Sequence, residues 1–454
     1  MLDRSDAETL VRVAGGSPIG ELLRRYWMPI AAVAELDDKP ILPVRVLGED
    51  LILYRDRGGT YGLLDRWCPH RRFDLAYGMI EDHGIRCSHH GWRFNEAGTC
   101  LEQPFEDTVN PSSTFKDRTP TKSYPVQAKA GLLWAYLGPA PASLLPDWSG
   151  FYSPGFTVVA FLNVPCNWVQ IMEGFYDPVH VEWLHDRWSY RLHDRDIPSR
   201  RPRHTAFRWL DFEYGVVFQR KLDSSDKWLA DRTVLFPNVD GAGGQGWYMT
   251  WVVPVDDTHT LLVYRLTMTS WKTPRGQVMI PAKRGVEQAR VPAYRKDAAL
   301  DPAAGPTKDF GSHLVSQDYA SWLGPGAIAD RTREHLGETD RGVIMFRKKL
   351  FEQAKIVAAG GDPQGVIRDP AKNRKITLPG ARKGYGVRGE GLPGMSGDED
   401  VMFRAFLPFE VPAEIKDEVA RAMASLVEGL RPDWWKRRGK HSKADNVDEP
   451  GGHK

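Results

Sequence analysis

Apolar residues in this chain first recur at helical spacing. Ser5 with Glu8 reads as a capping box, and Ser17-Pro18 opens a second helix whose Leu22, Leu23, Tyr26 and Trp27 share one flank. From Val44 to about Leu137 the pattern changes to short β runs parted by Gly and Asp turns: Leu51-Ile52-Leu53-Tyr54, Tyr61-Gly62-Leu63-Leu64 and Leu132 to Leu137. A small β-sandwich follows from this. Pro139, Pro141 and Pro146 then punctuate the chain. Past residue 150, helical stretches alternate with long strand-like runs at 206–222, 233–236, 247–254 and 258–269, which predicts helices packed on an antiparallel sheet. Residues 360–397 lack apolar periodicity and read as a surface excursion. Ile415, Val419, Met423, Leu426, Val427 and Leu430 return to helical spacing as core.

The reading is α+β, with helices over 1–40, a β-sandwich over 41–148, a larger second domain over 149–436 and a disordered tail over 437–454. A length of 454 residues and an apolar share of 41% suffice for a core in each domain. A formal charge of +2, with no basic run interleaved with aromatics, argues against a nucleic-acid partner. No apolar stretch reaches the roughly 18–20 residues of a membrane span, and Met1 to Asp6 carries no secretory pattern, so a cytoplasmic protein without a membrane partner is expected.

Candidate chemistry concentrates in two places. Cys68-Pro69-His70 is followed sixteen residues later by Cys87-Ser88-His89-His90, then Gly91-Trp92. Each loop supplies one thiolate and one imidazole, the ligand set of a Rieske [2Fe-2S] centre, in which two His replace two Cys on one iron. Zinc also accepts two Cys and two His, but its knuckles usually pair like with like. His90 is the better ligand by count, and His89 reads as packing. Cys100 and Cys166 remain as free thiols of a reducing compartment.

The second place is Asp177-Pro178-Val179-His180 and His185 in a helical context. Two imidazoles plus a carboxylate from elsewhere make the facial triad that holds Fe(II) with open positions. Taken alone the segment fits a packed core histidine as well. Residues five apart on an α-helix lie ~140° apart, so two His aimed at one metal predict a π-like turn. Asp177, three residues before His180, shares its face.

Together, Cys68-Pro69-His70, Cys87, His90-Gly91-Trp92, the Asp177–His185 run, Gln317-Asp318 and the stretch from Asp330 to Gly337 resemble the oxygenase component of Rieske non-haem iron oxygenases, in its phthalate dioxygenase branch. The resemblance implies an N-terminal Rieske [2Fe-2S] β-sandwich and a C-terminal helix-grip catalytic domain, similar to steroidogenic-acute-regulatory-related domains. It implies a [2Fe-2S] cluster on Cys68, His70, Cys87 and His90, and Fe(II) on His180, His185 and Asp318. Asp177 would bridge His180 to His90 of a neighbouring subunit in a homotrimer or a multiple of it. The implied partners are O2, an aromatic acid, and an NAD(P)H-dependent reductase or ferredoxin.

The activity expected from it is hydroxylation of an aromatic carboxylate, with O-demethylation of a methoxylated aromatic acid as the alternative. An electron-transfer Rieske protein without oxygenase activity is the further alternative. Arg72 stands where the family more often has Gly, and His89 where it often has Tyr. Arg191, Arg195, Arg200, Arg201 and Arg203 offer carboxylate clamps, or a solvated basic loop.

Overall fold

A computed structural model describes residues 2–153, 155–192, 203–241, 248–268, 271–272, 278–279, 290–298, 314–379, 415–419 and 421. Arg195, Arg200 and Arg201, most of the expected late helix and the expected disordered tail lie outside these residues.

The first helix, Arg4–Val11, is capped by Asp3, whose carboxylate accepts from the Asp6 N–H at 2.8 Å, so Ser5 lies inside the helix. Pro18–Leu23 forms as read, with Ser17 as cap and Pro18 in the first turn. Trp27 belongs to a strand, Trp27–Ala32, so the opening segment holds more than helices. That strand pairs antiparallel with Leu132–Tyr136, which pairs on its other side with Val126–Lys129.

Between them lie two small antiparallel sheets. One contains Ile41–Val46, Glu49–Arg55, Tyr61–Asp65 and Ser123–Tyr124. The other is built from Met79–Ile80, Ile85–Arg86, Arg93–Phe94 and Cys100–Glu102. The run Leu51-Ile52-Leu53-Tyr54 is buried on both faces. Leu51 and Leu53 enter the large core, while Ile52 and Tyr54 enter a second cluster with Leu64, Cys68, Leu75, Ile85, Cys87, Trp92, Phe94 and Cys100.

The second half carries one eight-stranded sheet, in spatial order 204–212, 215–222, 225–235, 239–241, 248–254, 260–268, 156–164 and 293–297. Every pairing is antiparallel except the last, where 293–297 runs parallel to 156–164. The expected run 206–222 is a hairpin turning at Glu213-Tyr214. Helices Trp168–Tyr176, Leu314–Leu323 and Arg341–Ala358 pack together beside this sheet. Part of the expected surface excursion is packed: Ile367, Ile376 and Leu378 are buried, and Ile376 bridges to Trp148. Among the described residues no helix is long and apolar enough to cross a membrane.

Candidate metal centres

The two Cys-His loops have the same backbone construction. The Arg72 N–H returns to the Cys68 carbonyl at 2.8 Å, and the Gly91 N–H returns to that of Cys87 at 3.0 Å. Both closing residues are left-handed, Arg72 at φ 57° and Gly91 at φ 77°. Glycine adopts that conformation freely, which explains why Gly suits position 72; Arg72 is held there by Asp65 Oδ2 at 3.2 Å and the Trp67 carbonyl at 3.3 Å. Arg86 braces the second loop, with Nη1 on the Gly91 carbonyl at 2.7 Å and its other nitrogens on Glu81 and Glu102.

These loops bury their sulfurs and expose their imidazoles. Cys68 and Cys87 are 1% and 2% exposed, whereas His70 and His90 face solvent. The Cys68 thiol donates to Cys87, which draws Cys87 down to about 6 and, with burial, pushes Cys68 up. One thiol of the buried pair thus gives up its proton easily, and two sulfurs beside two imidazoles are the donor set of a cationic cluster. Desolvation and the neighbouring His89, His70 and Arg71 charges hold His90 below the usual imidazole range. The His70 and His90 rings stand 4.6 Å apart, and His70 stacks on Trp92 at 4.5 Å and 13°. His89 packs against Phe73 and His90.

The second centre begins with helix Trp168–Tyr176. Asn167 caps it, and Nδ2 of Asn167 reaches the Val11 and Asp257 carbonyls at 3.0 and 2.7 Å. Gln170 ties this helix to helix Leu314–Leu323 and the segment after it, donating to the Trp322 and Gly326 carbonyls and accepting from the Ala329 N–H. At Gly174 an added Cβ would sit 3.1 Å from Trp322 Nε1, so the missing side chain lets the helix bearing Asp318 approach. Asp177 ends the helix before Pro178, accepting from the Val179 N–H at 2.8 Å.

The expected distortion follows at once. Val181–Arg187 is a π-helix, and the Trp188 N–H bonds to the Trp183 carbonyl five residues back. The turn thus closes over five residues, and the His180 and His185 rings come within 5.1 Å at 74°.

Asp318 completes the group: one donor atom each from His180, His185 and Asp318 lie within 4.8 Å of one another. Asp330, near in sequence, is spent on its own loop, where it accepts from Thr332. Asp309 lies outside the described residues. Asp177 Oδ2 stands 3.5 Å from His180 Nδ1, an atom otherwise buried without a partner.

The hydrogen bonding around His185 reveals what the group is built to hold. Gln317 Oε1 lies 2.7 Å from His185 Nδ1, so Nδ1–H donates and the ring nitrogen Nε2 is left with a lone pair. That lone pair meets Asp318 Oδ1 at 3.1 Å. Two lone pairs at this distance need a proton or a metal cation between them, and with His180 beside them the set of two imidazoles and one carboxylate suits a ferrous ion. Burial lowers the His185 pKa, but the Asp318 charge and the hydrogen bonds that protonated His185 donates to Asp318 and Gln317 outweigh it and leave the pKa raised, so a metal bound here displaces a proton from Nε2. Gln170 and Asn167 were invisible as site residues in sequence, and Gln317 appeared there only as the neighbour of Asp318, because their partners lie far away along the chain. Of the basic residues offered as carboxylate clamps, Arg191 and Arg203 are exposed.

Comparison with known proteins assigns the family. Residues 26–125 match the family described as Rieske [2Fe-2S] domain, and residues 309–377 match the one described as LigXa C-terminal domain like. Over 389 residues the chain is 42% identical to the 5,5'-dehydrodivanillate O-demethylase oxygenase subunit of Sphingobium sp. (strain NBRC 103272 / SYK-6), covering 84% of this chain and 87% of that one. It is 34% identical to phenoxybenzoate dioxygenase subunit alpha of Ectopseudomonas oleovorans, covering 79% and 87%. The terminal oxygenase of carbazole 1,9a-dioxygenase from Novosphingobium sp. KA1 shares the fold, with a TM-score of 0.52 and 18% identity over 79% of this chain and 97% of that chain. A zinc site and a pure electron carrier are thereby set aside. The chain belongs to the Rieske non-haem iron oxygenases, as an oxygenase component carrying a [2Fe-2S] cluster and a mononuclear iron.

Proposed function

We propose that this oxygenase O-demethylates a methoxylated aromatic acid. The likeness to the dehydrodivanillate O-demethylase subunit across most of both chains carries this reading. Phenoxybenzoate, named in the second relative, is also an aryl ether acid. In such a reaction one oxygen atom of O2 enters the methyl group, which leaves as formaldehyde by way of a hemiacetal. The other leaves as water with two electrons and two protons. Hydroxylation of the ring of an aromatic carboxylate is the second reading, supported by the relatives named as dioxygenases.

Within it, Cys68, Cys87, His70 and His90 hold the cluster, and His180, His185 and Asp318 hold the iron. When bound, these groups supply single electrons and an open position for O2. Gln317 fixes the His185 tautomer. Asp177 orients His180 from its second nitrogen and faces His90 of the partner subunit in a homotrimer or a multiple of it. An NAD(P)H-dependent reductase or a ferredoxin delivers electrons to the exposed imidazole edge, in the cytoplasm.

Oxygen uptake with a purified reductase over aromatic acids with and without methoxy groups tests the reaction. Formaldehyde equimolar with the phenol formed is the expected result; a diol without formaldehyde overturns it in favour of ring hydroxylation. Asp177→Ala is expected to keep both metals and lose coupled turnover. Normal turnover in that variant removes its bridging role.

A further inference from the structure

The π turn needs support from outside itself. An α-helix is the default for such a segment, and it would point His180 and His185 ~140° apart. The turn carries Glu182, a mostly covered carboxylate whose side chain is 12% exposed. Its Oε1 accepts from the His204 backbone N–H at 2.5 Å and also from His204 Nδ1–H, so strand His204–Phe212 grips it through main chain and ring together. His204 Nε2 is then an acceptor, and Arg220 Nη1 of the adjacent strand lies 3.2 Å away. Arg187 Nη1 donates to the Glu182 carbonyl at 2.6 Å, and its guanidinium covers the Trp183 ring at 4.9 Å. Glu182, His204 and Arg220 thus form one chain of hydrogen bonds from the π turn across two strands.

We propose that Glu182 and His204 are positioning residues for the mononuclear iron: their paired hydrogen bonds hold the turn open by one residue, so that His180 and His185 face the same ion. The inference rests on the assignment of that ion to His180, His185 and Asp318.

The test measures Fe(II) affinity at the mononuclear site of the full chain, with the visible spectrum and acid-labile sulfide of the cluster as the check on folding. Glu182→Ala and His204→Ala are each expected to bind iron about 10- to 100-fold more weakly with the cluster intact. Glu182→Gln keeps an acceptor oxygen and is expected to stay near wild type. Cobalt(II) placed in the site should report a changed ligand field in the two Ala variants and an unchanged one in Glu182→Gln. The double Ala variant should be no weaker than the worse single, since both remove one clamp. Wild-type iron affinity in His204→Ala overturns the proposal, as does a Glu182→Gln protein as weak as Glu182→Ala. Should Glu182→Ala fail to fold, His204→Ala decides alone, being remote in sequence from both ligands. His180→Ala separates the two layers: if it keeps its iron, the site assignment fails; if it loses iron while His204→Ala does not, only the clamp fails.

Discussion

At the scale of residues, one atom decides much of the second centre. Gln317 Oε1 is the acceptor for His185 Nδ1–H in a buried setting, and it fixes which nitrogen turns toward Asp318. Gln317→Leu strands that donor and releases the tautomer. Iron affinity or turnover should fall by about 10- to 100-fold while the cluster spectrum stays; unchanged metal retention would show that packing alone orients the ring. Arg72 carries the corresponding question for the cluster. Its φ of 57° costs an L-residue roughly 1–2 kcal/mol, and a β-branched side chain tolerates it least. Arg72→Gly should therefore melt near wild type, and Arg72→Val clearly lower, when loss of cluster absorbance is followed with temperature.

Between elements, helix Trp168–Tyr176 sets where the ligands begin. Its Glu173 takes Arg331 on both oxygens at 3.0 and 2.9 Å and Arg347 on Oε1 at 2.7 Å, and Arg347 continues to Glu334 at 2.6 and 3.0 Å. Arg331 is 1% exposed and Arg347 4%. Removing Glu173 leaves buried Arg331 without its counter-charge and Arg347 with Glu334 alone, so Glu173→Leu should cost on the order of 3–5 kcal/mol and more than Arg331→Leu, which leaves Glu173 still paired to Arg347. Chemical denaturation of the three proteins orders them. At Gly342 a Cβ would stand 2.4 Å from the Tyr176 carbonyl and 2.6 Å from the Trp209 ring. Gly342→Ala should displace the end of the ligand helix and cost ~1–3 kcal/mol.

What could be read from the sequence at this scale was whatever depends on spacing. Five residues between His180 and His185 required a turn that is not α-helical, and the segment is a π-helix. The hairpin at Glu213-Tyr214 stayed hidden, because its loop lacks the central Gly or Asn that marks tight turns and Gly215 comes one residue late. The cap at Asp3 was missed because Ser5 offered the better-known pattern. Gln317 and the grip of His204 on Glu182 depend on which strand lies beside which helix, and periodicity does not contain that.

For the whole molecule, the strand Glu49–Arg55 is the common wall of two cores. Leu51 and Leu53 belong to the large core that runs through both halves of the chain, and Ile52 and Tyr54 to the core under the cluster loops. The large core crosses between the halves at Trp134, whose ring meets Trp251 of the eight-stranded sheet edge-on at 5.1 Å. Arg265 adds a polar tie: its guanidinium donates to the Ala130, Gly150 and Phe151 carbonyls, and burial draws its pKa down to about 10. The Leu47 and Gly48 N–H groups donate to the Pro254 and Val255 carbonyls at 2.9 and 2.8 Å.

Neither half can open without exposing apolar surface of the other, so the cluster region has no separate melting to undergo. Thermal unfolding followed by cluster absorbance and by far-ultraviolet circular dichroism should give coincident transitions. Arg265→Leu should lower both together, because it strands the buried Phe151 carbonyl at about 1–3 kcal/mol and removes a donor from those of Ala130 and Gly150. A cluster signal lost more than about 10 °C before the helices and sheet, a gap of several kcal/mol at this size, would show that the shared strand does not couple the two cores.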